Sequence, residues 1–252
     1  MPASSLIEKI PPRLFVPMVA WQYRYFEPEL RRLSEYVPPG RRAVDVGVWW
    51  GPWSWWLARR AVRVDAFEPI AELSAKVASV MPSNVHMHNV ALSDRAGRAD
   101  LWMPSGGMGT EGRSSIDPSR QPATGGMWQS VQMERLDAFE LSDVGFVKID
   151  VEGHELAVLR GATGLITKHR PNLLVEIEQL EEGDDHVAAV FQFIESLGYK
   201  GSFWLGRRWH PLAEFDPAAA VEMSQRAARH GYIGNLLLYA RRHVHNFLFR
   251  PL

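Results

Sequence analysis

Two rhythms of apolar residues alternate along most of the chain. Short runs rich in apolar residues read as buried strands: Ala43–Val46, Val62–Phe67, Val85–Val90, Val144–Ile149 and Asn172–Ile177. Between them, apolar residues recur every three or four positions, as in an amphipathic helix. These stretches are Trp53 to Arg60, Ile70 to Val80, the run Leu156, Val158, Leu159, Ala162, Leu165 and Ile166, and His186 to Leu197 before Gly198. Strand, helix, strand in this order forces parallel strands joined by right-handed crossovers. The pattern predicts an α/β fold, a mostly parallel sheet with helices on both faces. Phe203–Leu205 and Leu236–Ala240 read as antiparallel strands closing one edge, and the apolar tail Phe247–Pro251 is expected to dock.

The ends and the middle are less regular. Residues 1–40 read as an N-terminal helical extension and 41–252 as a single domain. In the extension, Pro11, Pro12 and Pro17 predict a loop, and Pro28–Val37 a helix with Leu30, Leu33 and Val37 on one face. Pro38-Pro39-Gly40 stops it. Trp21, Tyr23, Tyr25 and Phe26 are expected either to pack on the domain or to form part of a lid. Ala99–Met103 reads as an edge strand and Val131–Leu136 as another. Pro104 to Gly126, rich in Gly, Ser, Pro and Thr, reads as a long loop of the kind that serves function.

Composition narrows the chemistry. The 252 residues are 46% hydrophobic with a net charge of -1, enough for a large core and with no global field for nucleic acid. No cysteine is present, which removes thiol catalysis, disulfides and cysteine zinc sites and fits a reducing cytoplasm. No apolar run reaches the roughly 20 residues of a membrane span. Ten tryptophans stand out.

The candidate chemistry sits where predicted strands end, the edge at which open α/β sheets bind ligands. The first strand runs into Asp45-Val46-Gly47-Val48-Trp49-Trp50-Gly51, which lacks the Gly-x-Gly-x-x-Gly of dinucleotide binders. Asp45 would repel a pyrophosphate and attract a cation such as S-adenosylmethionine; a helix cap or a local salt bridge is its other reading. Glu68 ends the second strand, placed for ribose hydroxyls. Asn89 ends the third, placed for an adenine edge. The densest cluster is Lys148-Ile149-Asp150-Val151-Glu152-Gly153-His154-Glu155.

These pieces carry a resemblance. Val44-Asp45-Val46-Gly47 with Gly51, Ala66-Phe67-Glu68-Pro69, Asn89-Val90-Ala91-Leu92-Ser93-Asp94, Ser114-Ser115-Ile116, Val147 to Glu155 and Pro171 to Ile177 together resemble the FkbM-type S-adenosylmethionine-dependent O-methyltransferases. The match runs from about residue 40 to 180. It implies a Rossmann-like class I methyltransferase fold and methyl transfer to a hydroxyl, often of a sugar or polyketide. It implies cofactor contacts from Asp45, Gly47, Trp49, Gly51, Glu68, Asn89, Ser114 and Asp150. The family's first loop usually reads Gly-Ala-Asn-x-Gly; here Trp49 replaces the Asn.

A hydroxyl nucleophile must lose its proton or be strongly polarised. His154, near a helix start where the dipole disfavours imidazolium, is the candidate base; local capping or packing is its other reading. Asp150, Glu176, Glu152 and Glu178 are expected to converge as oxygen donors for Mg2+, a use to which the resemblance adds weight, unless Glu176 and Glu178 pair with Lys148 or with arginines. Trp49, Trp50 and His154 are placed for an acceptor, since aromatic faces suit sugar rings, though core packing also explains tryptophans. The expected acceptor is a saccharide, with a methylated mannoside the narrowest reading and a polyketide or lipid hydroxyl the runner-up. A nicotinamide oxidoreductase and a non-catalytic cofactor- or glycan-binding domain are the other classes. A homodimer is compatible with the sequence.

Overall fold

A computed structural model describes residues 10–105, 110–116, 125–177, 185–222 and 244–252. Its main sheet has eight strands. In chain order they are β1 (Arg42–Val46), β2 (Val64–Phe67), β3 (Val85–His88), β7 (Val144–Ile149), β8 (Asn172–Glu176), β9 (Tyr199–Leu205), β10 (Arg208–Pro211) and β11 (Asn246–Pro251). They lie in the order β10-β9-β11-β8-β7-β1-β2-β3. The five from β8 to β3 are parallel; β11, β9 and β10 are antiparallel to their neighbours. Three further strands, β4 (Ala91–Leu92), β5 (Gly97–Pro104) and β6 (Gly126–Glu134), form a separate small sheet in the order β4-β6-β5. Ala99–Met103 is therefore an edge strand of this small sheet.

The helices are α1 (Pro12–Phe26), α2 (Pro52–Leu57), α3 (Ala71–Ala78), α4 (Glu155–Gly161), α5 (Thr163–His169) and α6 (Asp185–Ser196). Period-two alternation along the strands serves two cores. Ala43, Phe146, Leu174 and Leu248 face one, with Trp53, Leu57, Leu73 and Val77 from α2 and α3. Val44, Val147, Leu173, Val175 and Phe247 face the other, with Val158, Ile166 and Val190 from α4, α5 and α6. This is the mostly parallel α/β sheet, covered on both faces, that the apolar runs predict.

The extension departs from its sequence reading. Residues 12–26 are helix, not loop. Pro12 sits in the first turn, where its missing N–H is unneeded. Pro17 lies inside the helix, and Phe15, Val16, Val19 and Ala20 are buried around it. Packing outweighs the lost hydrogen bond, as tertiary contacts override propensity elsewhere. Pro28–Val37 is two 3-10 turns, Pro28–Arg31 and Leu33–Glu35. Leu30, Leu33 and Tyr36 are all buried, a three-residue period that suits the 3-10 helix. The predicted strand Leu236–Ala240 lies outside the described residues. The tail does more than dock: β11 pairs with β8 on one side and β9 on the other.

Candidate active site at the carboxyl edge

From β1 the chain proceeds to β2 and β3 on one side of the sheet, and from β7 to β8 on the other. The tips of β1 and β7 thus bound the switch-point crevice of an open α/β sheet. The two tips nearly touch. Asp150 N–H donates to the Val46 carbonyl at 2.9 Å. Gly47 has φ +82°, and a Cβ there would lie 1.7 Å from the Asp150 carbonyl oxygen. Trp49 and Glu152, both at φ +49°, take left-handed backbone on either side of this contact. Such strain in non-glycine residues is held only by surrounding structure and gathers at functional sites.

A cavity opens above these tips. Its walls include Gly47, Val48 and Trp49 after β1; Glu68, Pro69 and Ile70 after β2; and Val90, Ala91 and Leu92 after β3. Asp150, Glu152 and His154 follow from β7 and Glu176 from β8. Glu111, Gly112, Ser114 and Ile116 cover it from the loop between β5 and β6, and Tyr23, Glu27 and Trp53 close the remaining side.

Glu68 is buried and accepts two backbone N–H bonds, from Trp49 at 2.9 Å and from Ile70 at 2.9 Å. Burial pushes its carboxyl up to about 7 against those two donors. Asn89 does not reach the cavity. Its amide nitrogen donates to the Glu68 and Pro69 carbonyls, both at 2.9 Å, bracing the turn that presents Glu68. Asp45 lies beneath the loop. Its Oδ2 accepts from the Ser54 hydroxyl at 2.5 Å and ties α2 to β1, while Oδ1 is buried without a hydrogen-bond partner among the described residues. Burial raises its carboxyl to about 6. So of the two readings of Asp45, local bonding at the start of a helix describes its geometry.

The tryptophans divide. Trp49 lines the cavity, tilted at 46° against Tyr23 with centroids 5.3 Å apart, and a Cβ on Gly112 would meet its indole nitrogen at 3.2 Å. Trp50 points into the core against Phe15 and is only 2% exposed, so its expected place at the acceptor is corrected. Gly51 also faces away: a Cβ there would strike Met81 at 2.0 Å. The loop alternates sides, and Trp49 takes the cavity side. Ser114 lines the cavity with its hydroxyl buried and unpartnered among the described residues. Its neighbour Ser115 donates to the Glu152 carbonyl at 2.6 Å, fastening the covering loop to the β7 tip. His154 is the N-cap residue of α4, and its Nε2 lies 2.9 Å from the buried Ser93 hydroxyl.

At the polar end the alternative pairing of Glu176 with Lys148 is the one observed, while the partners Glu27 and Asn246 were not foreseen. Lys148 is fully buried within β7. Its ammonium donates to Glu176 at 3.0 Å and to Asn246 Oδ1 at 2.9 Å, and lies 3.8 Å from Asp150 Oδ2. It also stands 5.4 Å from the Trp53 ring. Asn246, with its oxygen committed to Lys148, directs its nitrogen to Glu27 Oε2 at 3.3 Å, and Trp53 Nε1 donates to the same oxygen at 2.7 Å. Burial alone would lower the Lys148 amine, but Glu176, Asp150 and Glu27 outweigh it and hold it above the ordinary range. Burial alone would raise Glu176, but Lys148 and His245 bring it down to about 2. Burial, then the Glu176 charge, raises Asp150 well above a normal aspartate and Glu27 to about 7. The signal for Lys148 was a lone cation inside an apolar run. Nothing in the sequence linked it to Glu27 or Asn246, which lie 121 and 98 positions away.

This ammonium weighs against the metal expectation at Asp150 and Glu176. Asp150 and Glu176 face Lys148, whose charge already offsets theirs and would repel a dication. Among the described residues no three acidic or histidine side chains gather as metal ligands. Glu178 lies outside the described residues.

Comparison with known proteins places this geometry. The methyltransferase FkbM domain model matches residues 45–200. A search of curated proteins returns no match. Among solved structures, the methyltransferase FkbM from Methylobacillus flagellatus KT superposes with a TM-score of 0.50 at 16% identity. That alignment covers 83% of this chain and 43% of the other, so the chain spans less than half of that protein's length. A Streptococcus mutans protein described as a methyltransferase and solved in complex with SAH gives a TM-score of 0.47 at 11% identity, over 90% of this chain and 97% of that one. The precorrin 8w decarboxylase of Methanobacterium thermoautotrophicum gives 0.45 at 12% identity, over 93% and 90%. At these identities the structures speak to the fold alone. The family model covers well over half of the chain, including both strand tips and the covering loop, and the chain belongs to the methyltransferase FkbM domain family.

Proposed function

We propose that the protein is an S-adenosylmethionine-dependent O-methyltransferase acting on a hydroxyl of a small acceptor, a saccharide before a polyketide or lipid. One observation carries the cofactor. Glu27, Glu68, Glu111, Asp150, Glu152 and Glu176 line the cavity, and no lysine or arginine does so among the described residues. A pyrophosphate close to an ionised carboxylate is repelled by roughly 1 to 4 kcal/mol, and those that burial keeps protonated, Glu27, Glu68 and Asp150, are ones a bound cation would ionise. A sulfonium and an ammonium are attracted. The same lining offers apolar walls for a flat base at Phe67, Ile70, Leu92 and Leu101, beside Glu68 for ribose hydroxyls. The residues therefore fit this cofactor better than a nicotinamide dinucleotide. Gly47, Trp49 and Ser114 complete the proposed contacts.

When bound, the cofactor supplies an electrophilic methyl group on a good leaving group. The protein must then place and deprotonate the hydroxyl. In this reading His154 receives the proton, its ring oriented by Ser93. Asp150 orients the acceptor from the β7 tip, with Lys148 fixing it from behind. Trp49 and Gly112 exclude water from above. Tyr23, Trp49 and Trp53 offer the aromatic faces that favour a sugar ring. The described part of residues 1–40 is then an extension that closes the acceptor end over a domain spanning 41–252.

The test is calorimetric titration of S-adenosylhomocysteine and, separately, NADH, followed by mass spectrometry of a saccharide panel incubated with S-adenosylmethionine. Binding of the first compound alone and a methyl mass gain on a sugar are expected. NADH binding, or no binding of either, sinks the reading.

A further inference from the structure

α1 is apolar on its outer side as well as its inner one. Leu14, Met18, Trp21 and Tyr25 are 61%, 47%, 59% and 37% exposed. They recur at i, i+4, i+7 and i+11, which aligns them in one stripe about 17 Å long. A contiguous stripe of this kind on a surface marks an interaction site, unlike single exposed apolar residues. Its charges are one-sided. Between Pro12 and Phe26 there is no acidic residue, and the charged ones are Arg13 and Arg24. Arg24 lies 4.4 Å from the Trp56 ring and 5.5 Å from Trp21. Exposed Arg59 of the adjacent turn lies 4.6 Å from Trp56 and 5.0 Å from Trp55. Trp21 and Trp56 meet edge to face at 4.8 Å.

We propose that this face docks the protein on an anionic lipid surface, with α1 lying in the headgroup plane. Indole and phenol rings settle at the headgroup level because one end is apolar and the other wet. Guanidinium groups without acidic neighbours on the helix complement anionic headgroups. The whole chain carries a net charge of only -1, so the attraction is local to this face. No helix among the described residues is long and apolar enough to cross a membrane, so docking is at the surface. Tyr23 of the same helix lines the cavity, which brings the cavity within about one helix diameter of the lipid.

The experiment is co-sedimentation of the full chain with phosphatidylcholine vesicles, with and without phosphatidylglycerol, at low and high salt, alongside light scattering. Binding to the phosphatidylglycerol vesicles, weakened by salt, is expected. The double variant Leu14→Ser, Met18→Ser should lower the partition coefficient roughly tenfold or more at an unchanged thermal midpoint. Val62→Ser, which removes an exposed apolar residue outside the stripe, should bind as the parent does. Absence of vesicle binding overturns the proposal. So does a dimer that the double variant dissociates, which would make the stripe a contact between two copies. Neither result touches the cofactor titration, so the methyl-transfer reading stands or falls separately.

Discussion

The Lys148 ammonium and the Glu176 carboxylate lie 3.0 Å apart at the core of the sheet, one strand from each other. The ammonium has no water to fall back on, and the carboxylate, 17% exposed, meets only the cavity. Removing one partner of such a pair leaves the other buried and uncompensated, at a cost of about 3–5 kcal/mol. Lys148→Met should lose stability on that scale in urea unfolding. A loss within 1 kcal/mol, on the order of a surface substitution, would refute the buried pair.

Acid should expose the same pair. The folded Glu176 carboxyl sits near 2, below its ordinary 4.5. Its contribution is therefore complete above about 4.5 and is lost as pH falls toward 2. Glu176→Gln should be less stable than the parent at pH 6 and approach it near pH 2.5. A gap that widens on acidification contradicts the assignment.

Glu68 works in the other direction. Burial raises its folded carboxyl to about 7, so the folded state binds a proton that the unfolded state has released. Its contribution to stability falls as pH rises from about 4.5 to 7. Glu68→Gln should flatten that slope in denaturant midpoints measured across the window, and Glu68→Ala should weaken S-adenosylhomocysteine binding at least tenfold, roughly one charge-assisted hydrogen bond. An unchanged affinity would remove Glu68 from the cofactor site.

His154→Ala should separate binding from chemistry. Cofactor affinity should stay within about twofold, while the single-turnover rate drops by roughly 10²–10⁴, the usual worth of a general base. Full activity in this variant would assign proton removal to another group on the cavity wall.

Gly47→Ala probes the contact between the strand tips. The new Cβ meets backbone, 1.7 Å from the Asp150 carbonyl oxygen, at a φ that disfavours any side chain. A lower melting temperature and weaker cofactor binding should appear together, since relief requires the β1 and β7 tips to part. A melting temperature unchanged from the parent would show that the tips are not in contact in solution.

Much of the frame was legible because buried parallel strands leave runs rich in apolar residues; Val144–Ile149 coincides with β7 to the residue. The strand tips were legible for the same reason, and with them Glu68, Asp150 and His154. What hid were features with no local signature. Trp49 and Trp50 are adjacent and chemically identical, and only the left-handed turn at Trp49 decides which faces the cavity. Asp45 and Asn89 stand at strand tips, yet each is held by neighbouring backbone or hydroxyl groups that position alone does not announce. The Lys148 cluster draws on α1's C-terminal end, β7, β8 and β11, so its members meet only in three dimensions.

The placement of β11 also sets an order of assembly. It is the seam between β8 and β9, and it carries Asn246 to Lys148. Strands β1, β2, β3, β7 and β8 all precede it in the chain and can pair with one another before β11 emerges, although β1 and β7 themselves meet across about a hundred residues. In chain order the part of the cleft between β3 and β7 is therefore complete before the part that Asn246 reaches. A chain clipped before β11 would keep the β1 and β7 tips side by side and lose the Asn246 hold on Lys148.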